Sequence, residues 1–113
     1  AHLLIKPKVK PSCLEDWVAL GSAMQRVWLT TTFLGLHLQP QMTPVIFRWY
    51  ARAGRRFSAG PEFAERALSL AQQFERIAGA SEQQPFGFFC RIGVSPIPQS
   101  RSVRLGLDEL LSR

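Results

Sequence analysis

The sequence predicts an α+β chain with a buried central helix, an amphipathic helix and few strands. Three observations carry this reading. Residues 13–34 are apolar on nearly every side of a helix, residues 61–78 place apolar side chains on one helical stripe, and residues 86–94 alternate at the two-residue period of a strand. The 113-residue chain is 46% hydrophobic and 19% charged, a balance that excludes a disordered or collagen-like polymer.

The first element is His2-Leu3-Leu4-Ile5-Lys6, short, partly β-branched and stopped by Pro7, which predicts a strand. Residues 6–11 are expected to be extended, because a residue before proline avoids the α region. Ser12-Cys13-Leu14-Glu15 has capping-box spacing, so Ser12 is expected to cap a helix over 13–34, with Glu15 reaching back to it. Leu14, Trp17, Val18, Gly21, Met24, Val27, Trp28 and Thr31 share one face, while Leu20, Leu29, Phe33 and Leu34 lie off it. A helix apolar nearly all round is expected to be buried on most sides, in the centre of a domain or at a subunit interface. Gly35 is placed to end it in the left-handed region.

Residues 37–43 read as a loop around Pro40. Residues 44–53 read as a short helix with Pro44 in its first turn; Arg48, Arg52, Arg55 and Arg56 cluster there and just beyond. Ser58-Ala59-Gly60 marks a loop, and Pro61 is expected at the first position of the next helix, where its missing N–H costs nothing. Phe63, Ala67, Leu70, Phe74 and Ile77 form the apolar stripe of that helix, which Gly79 ends. In the strand that follows, Phe86, Phe88, Cys90, Ile92 and Val94 share one face and Phe89 the other, so both faces are expected to be covered. Residues 95–102 read as extended and 107–111 as a terminal helical turn.

The chemistry-bearing residues exclude more than they assign. Cys13 and Cys90 form no CxxC pair, and His2 and His37 have no ligand spacing, so neither a disulfide framework nor a metal site is expected. Both cysteines read as buried small apolar residues rather than nucleophiles. The motifs GxSxG, HExxH, GxGxxG and the P-loop are absent, and no catalytic residue is assigned. Lys6, Lys8 and Lys10 follow the first apolar run, the reverse of signal-peptide order, and a cytoplasmic protein is expected. Polar residues together with Pro40 and Pro44 interrupt the apolar stretch over 17–47, which argues against a membrane span. The net charge of +6 invites an anionic partner without choosing one. Arg48, Arg52, Arg55 and Arg56, interleaved with Trp49, Tyr50 and Phe57, have the make-up of a phosphate-binding surface or of a solvated basic helix face. Arg101 and Arg104, in the tail, could grip one phosphate.

Residues 17–36, W-V-A-L-G-S-A-M-Q-R-V-W-L-T-T-T-F-L-G-L, resemble the central helix of the FMN-dependent nitroreductase family, with its small-residue G…Q…L…(A/T)…G-L pattern. Residues 88–94, F-F-C-R-I-G-V, are similar to that family's late strand, of the type l-l-R-i-G-y. Residues 100–110, S-R-S-V-R-L-G-L-D-E-L, are similar to its basic tail, of the type R-x-x-R-x-P-L-E-E-V. The three segments fall in the family's order and span nearly the whole chain. The family's N-terminal R-R-S-x-R segment has no counterpart in residues 1–10. The resemblance therefore implies that residues 1–113 are one partial domain, the C-terminal half of a nitroreductase-like fold, completed by dimerisation.

The resemblance also implies a site. Pro40, Gln41 and Met42 fall in the segment that passes the isoalloxazine ring, and Arg101 and Arg104 match the residues that hold the FMN phosphate. The intact protein would then be a homodimeric flavoprotein oxidoreductase passing hydride from NAD(P)H through FMN, with no membrane or nucleic-acid partner, and this fragment alone would be inactive. Met42 stands where an acidic residue is common and Thr43 where glycine is common. These departures favour an alternative, a catalytically degenerate flavin-binding or dimerisation module of a larger protein. A basic nucleic-acid-binding module built on the arginine cluster is a further alternative.

Overall fold

A computed structural model describes residues 1–97, 99 and 108. Arg101, Arg104 and, except for Asp108, the expected turn over 107–111 lie outside the described residues. Strand β1 (His2–Ile5) is followed by helix α1 (Leu14–Phe33), strand β2 (His37–Pro40), helices α2 (Thr43–Arg52) and α3 (Glu62–Ile77), and strand β3 (Phe88–Gly93). The expected α+β class is met by three helices and one three-stranded sheet among the described residues.

Of the three described strands, the last in sequence is the middle one in space. The order is β1-β3-β2, and both pairings are antiparallel, with His2 opposite Arg91 and Ile5 opposite Phe88 on one side. On the other side His37 faces Gly93 and Pro40 faces Cys90. The aromatic residues and Ile92 of β3 suit a central position. Phe88 and Cys90 are buried, Cys90 completely, and burial pushes the Cys90 thiol pKa up. On the opposite face the His2 ring stacks on Phe89 at a centroid distance of 5.5 Å.

Residues 37–40 form a strand, not the loop expected around Pro40. Proline lacks the N–H that a central ladder needs, but among the described residues β2 is an edge strand and Pro40 is its last residue, so no ladder bond to β3 is lost. The pairing continues one residue further, where the Gln41 N–H donates to the Phe89 carbonyl at 2.9 Å.

The start of α1 is shifted by one residue from the expected box. Cys13, not Ser12, occupies the cap, and Asp16, not Glu15, reaches back. Asp16 Oδ2 accepts from the Ser12 N–H at 2.9 Å, and this bond holds the Asp16 carboxyl below its usual range. Cys13 is therefore exposed, contrary to its expected burial. The helix ends as expected. Gly35 adopts φ 68°, the Leu36 N–H donates to the Thr31 carbonyl at 2.9 Å, and the Gly35 N–H donates to that of Thr32 at 3.0 Å. This pair of bonds is a Schellman motif.

The expected burial of α1 is corrected as well. In the single chain α1 is not a buried central helix. Thr31 is its one buried residue, and Trp17, Val18, Leu29 and Phe33 are exposed, Phe33 at 89%. The helix lies along β2 and reaches Gly87 through Leu20, while α2 and α3 pack on each other, so too little of the chain is left to wrap it. In α3 the apolar stripe is not the buried face. Phe63, Leu70 and Ile77 are exposed, Ile77 at 85%, and Ala71 and Glu75 are buried instead. Pro61 stands at the cap of α3 rather than at its first position. Phe74 meets Phe86 and Phe89 edge-on, each at 5.2 Å, and joins α3 to the sheet. No helix among the described residues is long and apolar enough to cross a membrane.

The left-handed backbone at Gly35 gives a direct test. Open space surrounds the position of a Cβ there, so only the backbone conformation opposes a side chain. Replacing Gly35 with alanine is expected to lower stability by about 1 kcal/mol in urea denaturation.

Candidate functional site

Helical geometry puts Arg48 and Arg52, four residues apart, on one face of α2. That face meets Glu75 of α3. Arg48 Nε donates to Glu75 Oε1 at 2.7 Å, Arg52 Nε donates to the same oxygen at 2.9 Å, and Arg52 Nη2 donates to Glu75 Oε2. Arg48 also donates to the Glu82 carbonyl at 2.9 Å, and Arg52 Nη1 pairs with Glu82 Oε2 at 3.0 Å. The Arg48 guanidinium lies 4.0 Å over the Phe86 ring. Arg48 is 7% exposed and Glu75 5%.

This cluster corrects the reading of the arginines as one phosphate-binding surface or one solvated face. Two of the four are turned inward and neutralised by acids. Arg55 lies over the Trp49 ring, and Arg56 donates to the carbonyls of Ser58 and Ala59. Glu75 went unrecognised in the sequence; its one signal was the i, i+4 arginine pair on a neighbouring helix. The Arg52 hydrogen bond, then that from Arg48, holds the Glu75 carboxyl below its ordinary pKa of 4.5, against the upward push of burial.

The residues expected at the flavin gather in one corner where β2 passes into α2. Pro40 ends β2, Gln41 bonds to β3, and Met42 caps α2. The first turn of α2 has no side-chain cap and no acidic residue. Its partly positive N-terminal end is therefore met by no protein carboxylate of its own turn. Arg101 and Arg104, the other expected cofactor residues, are outside the described residues.

Beside this corner opens a groove of about 790 Å³. Its floor is His2, Leu4 and Phe89 of the sheet, and its walls come from α2 and α3, with Phe57 of the loop between them. Thr43 and Pro44 lead into it from the corner. The exposed stripe of α3 lines it, so the apolar residues found by periodicity form a groove wall rather than a packed core. A second cleft, about 600 Å³, lies between the end of α2 and the start of α3 and contains Arg55 and Arg56. Among the described residues no three His, Cys, Asp or Glu side chains group as metal ligands. No protein-family profile, curated protein or solved structure matches this chain.

The ion cluster sets an acid limit. Because the folded-state pKa of Glu75 is depressed, its contribution is complete above about pH 5 and is lost as the pH falls below 4.5 through the folded value. Replacing Glu75 with glutamine is expected to cost about 3 kcal/mol at pH 7, because two guanidinium groups lose their charge partner. The same variant is expected to flatten the fall in stability below pH 4.5, followed by denaturation at a series of pH values.

Proposed function

We propose that this chain is the C-terminal part of an FMN-binding, nitroreductase-like oxidoreductase domain that, in the intact protein, passes hydride from NAD(P)H to an electron-poor acceptor. One observation carries the reading. The backbone that leaves the first resembling segment through Gly35 runs straight into a pairing with the second: residues 37–40 lie beside β3, and Gln41 is bonded to Phe89. That places Pro40, Gln41 and Met42 at the uncapped start of α2, beside an aromatic-walled groove.

The chemistry of this corner fits a flavin. Backbone N–H groups at the first turn of a helix suit the electron-rich edge of the ring system. Pro40, Gln41 and Met42 would lie along that edge, and Arg101 and Arg104 would hold the phosphate. FMN, when bound, supplies the hydride chemistry itself, and the protein positions and tunes it. The exposed apolar face of α1 supports the homodimer, because a second copy would cover Trp17, Val18, Leu29 and Phe33.

Met42 also supports the second reading, a degenerate module that keeps the fold without turnover, since no acidic side chain stands at the start of α2. The nucleic-acid reading is weakened by the pairing of Arg48 and Arg52 with Glu75.

The test is flavin content. The intact protein, mixed with FMN and desalted, is expected to retain flavin absorbance near one FMN per chain, and substitution of Arg101 and Arg104 by alanine is expected to reduce it. Complete loss of flavin on desalting would overturn the proposal. Oxidation of NAD(P)H by the flavin-loaded protein would exclude the degenerate alternative.

A further inference from the structure

The groove between the sheet and helices α2 and α3 is a site in its own right. Its walls include none of Pro40, Gln41 and Met42, so it does not depend on the flavin reading. Its volume, about 790 Å³, lies within the range of small-molecule sites. Phe47, Phe63, Phe74 and Phe89 supply aromatic surface from three different elements.

The charges at the groove select among apolar ligands. No aspartate or glutamate lines it, whereas Arg48 and Arg66 do. Glu75 already neutralises Arg48. Arg66 forms no ion pair among the described residues, and it lies on α3 next to Ala67 and four residues before Leu70, both of which line the groove. The nearest acids along α3 form no ion pair with Arg66: the Glu62 carboxylate lies beside Gly60, and Glu65 lines the second cleft. The groove is thus an apolar surface with one uncompensated cation at its edge.

We propose that it binds an elongated apolar molecule with one anionic end, a long-chain carboxylate, whose tail lies along the phenylalanines and whose carboxylate pairs with Arg66. A carboxylate is favoured over an amine because the single available charge is positive. A ligand of this shape is favoured over a neutral ring because the cation stands at the edge of the groove rather than among its rings.

The experiment is calorimetric titration of the full chain with dodecanoate and with dodecylammonium. Dodecanoate is expected to bind saturably at one site per chain and more tightly than dodecylammonium. Arg66→Gln is expected to weaken dodecanoate about three- to tenfold, and Arg66→Lys to restore most of the loss. Leu70 is 55% exposed, so Leu70→Gln removes little packing and is expected to weaken both ligands with an unchanged circular dichroism spectrum. The proposal is overturned if dodecanoate gives no saturable heat, if dodecylammonium binds as tightly, or if Arg66→Gln leaves the affinity unchanged. It is overturned too if sedimentation shows a dimer that Leu70→Gln dissociates and dodecanoate does not enter, since a second copy would then be the occupant.

Discussion

Glu75, held between Arg48 and Arg52, sets how this chain packs. Arg48 and Glu75 leave water together, with Arg52 half-buried beside them, and the desolvation cost of several kcal/mol for each buried ion is offset only because every group has a partner. The arginines reach further than the pair itself. Arg48 ties the turn at Ser81 and Glu82 to α2 and covers Phe86, the residue that leads into β3. The cluster therefore fixes α2 against α3 and both against the approach to the central strand. The rotation of α3 follows from it. With Ala71 and Glu75 facing inward, Phe63, Leu70 and Ile77 turn outward, and the groove is the consequence.

The sheet imposes a second constraint. Its middle strand is the last of the three described strands, so β1 and β2 lack this partner until residues 88–93 arrive. Such late, long-range pairing slows folding relative to local helix formation. It also brings the β2–α2 corner and β3 together. α1 takes little part in this packing, and its large apolar residues are left outside. The molecule thus presents two apolar surfaces of different kinds: a long convex helix face, which suits a protein partner, and a concave groove with a cation at its edge, which suits a small ligand.

Much of the secondary structure was legible from local chemistry. The period of three to four residues located α1 and α3, the alternation around Cys90 located β3, and Gly35 marked a terminus that the Schellman bonds complete. β2 was hidden because Pro40 signals a loop unless the strand is known to be an edge. The capping box slipped by one because Ser12 and Cys13 compete for one position, and Asp16 is close enough to serve both. Periodicity finds an apolar stripe but does not say what covers it, and so α1 was expected to be buried and the orientation of α3 stayed open. Glu75 was invisible because its partners lie 23 and 27 residues away. Of the candidate site, Pro40, Gln41 and Met42 came from resemblance alone, and the groove required the fold.

A double-mutant cycle between Arg48 and Glu75 tests the central claim most directly. Stability to urea is measured for the parent chain, for each alanine variant and for the double variant. If the buried cluster governs the packing of α2 on α3, the coupling energy is expected to be about 2 kcal/mol or more. A coupling below about 0.5 kcal/mol, the value of an exposed ion pair, would contradict it.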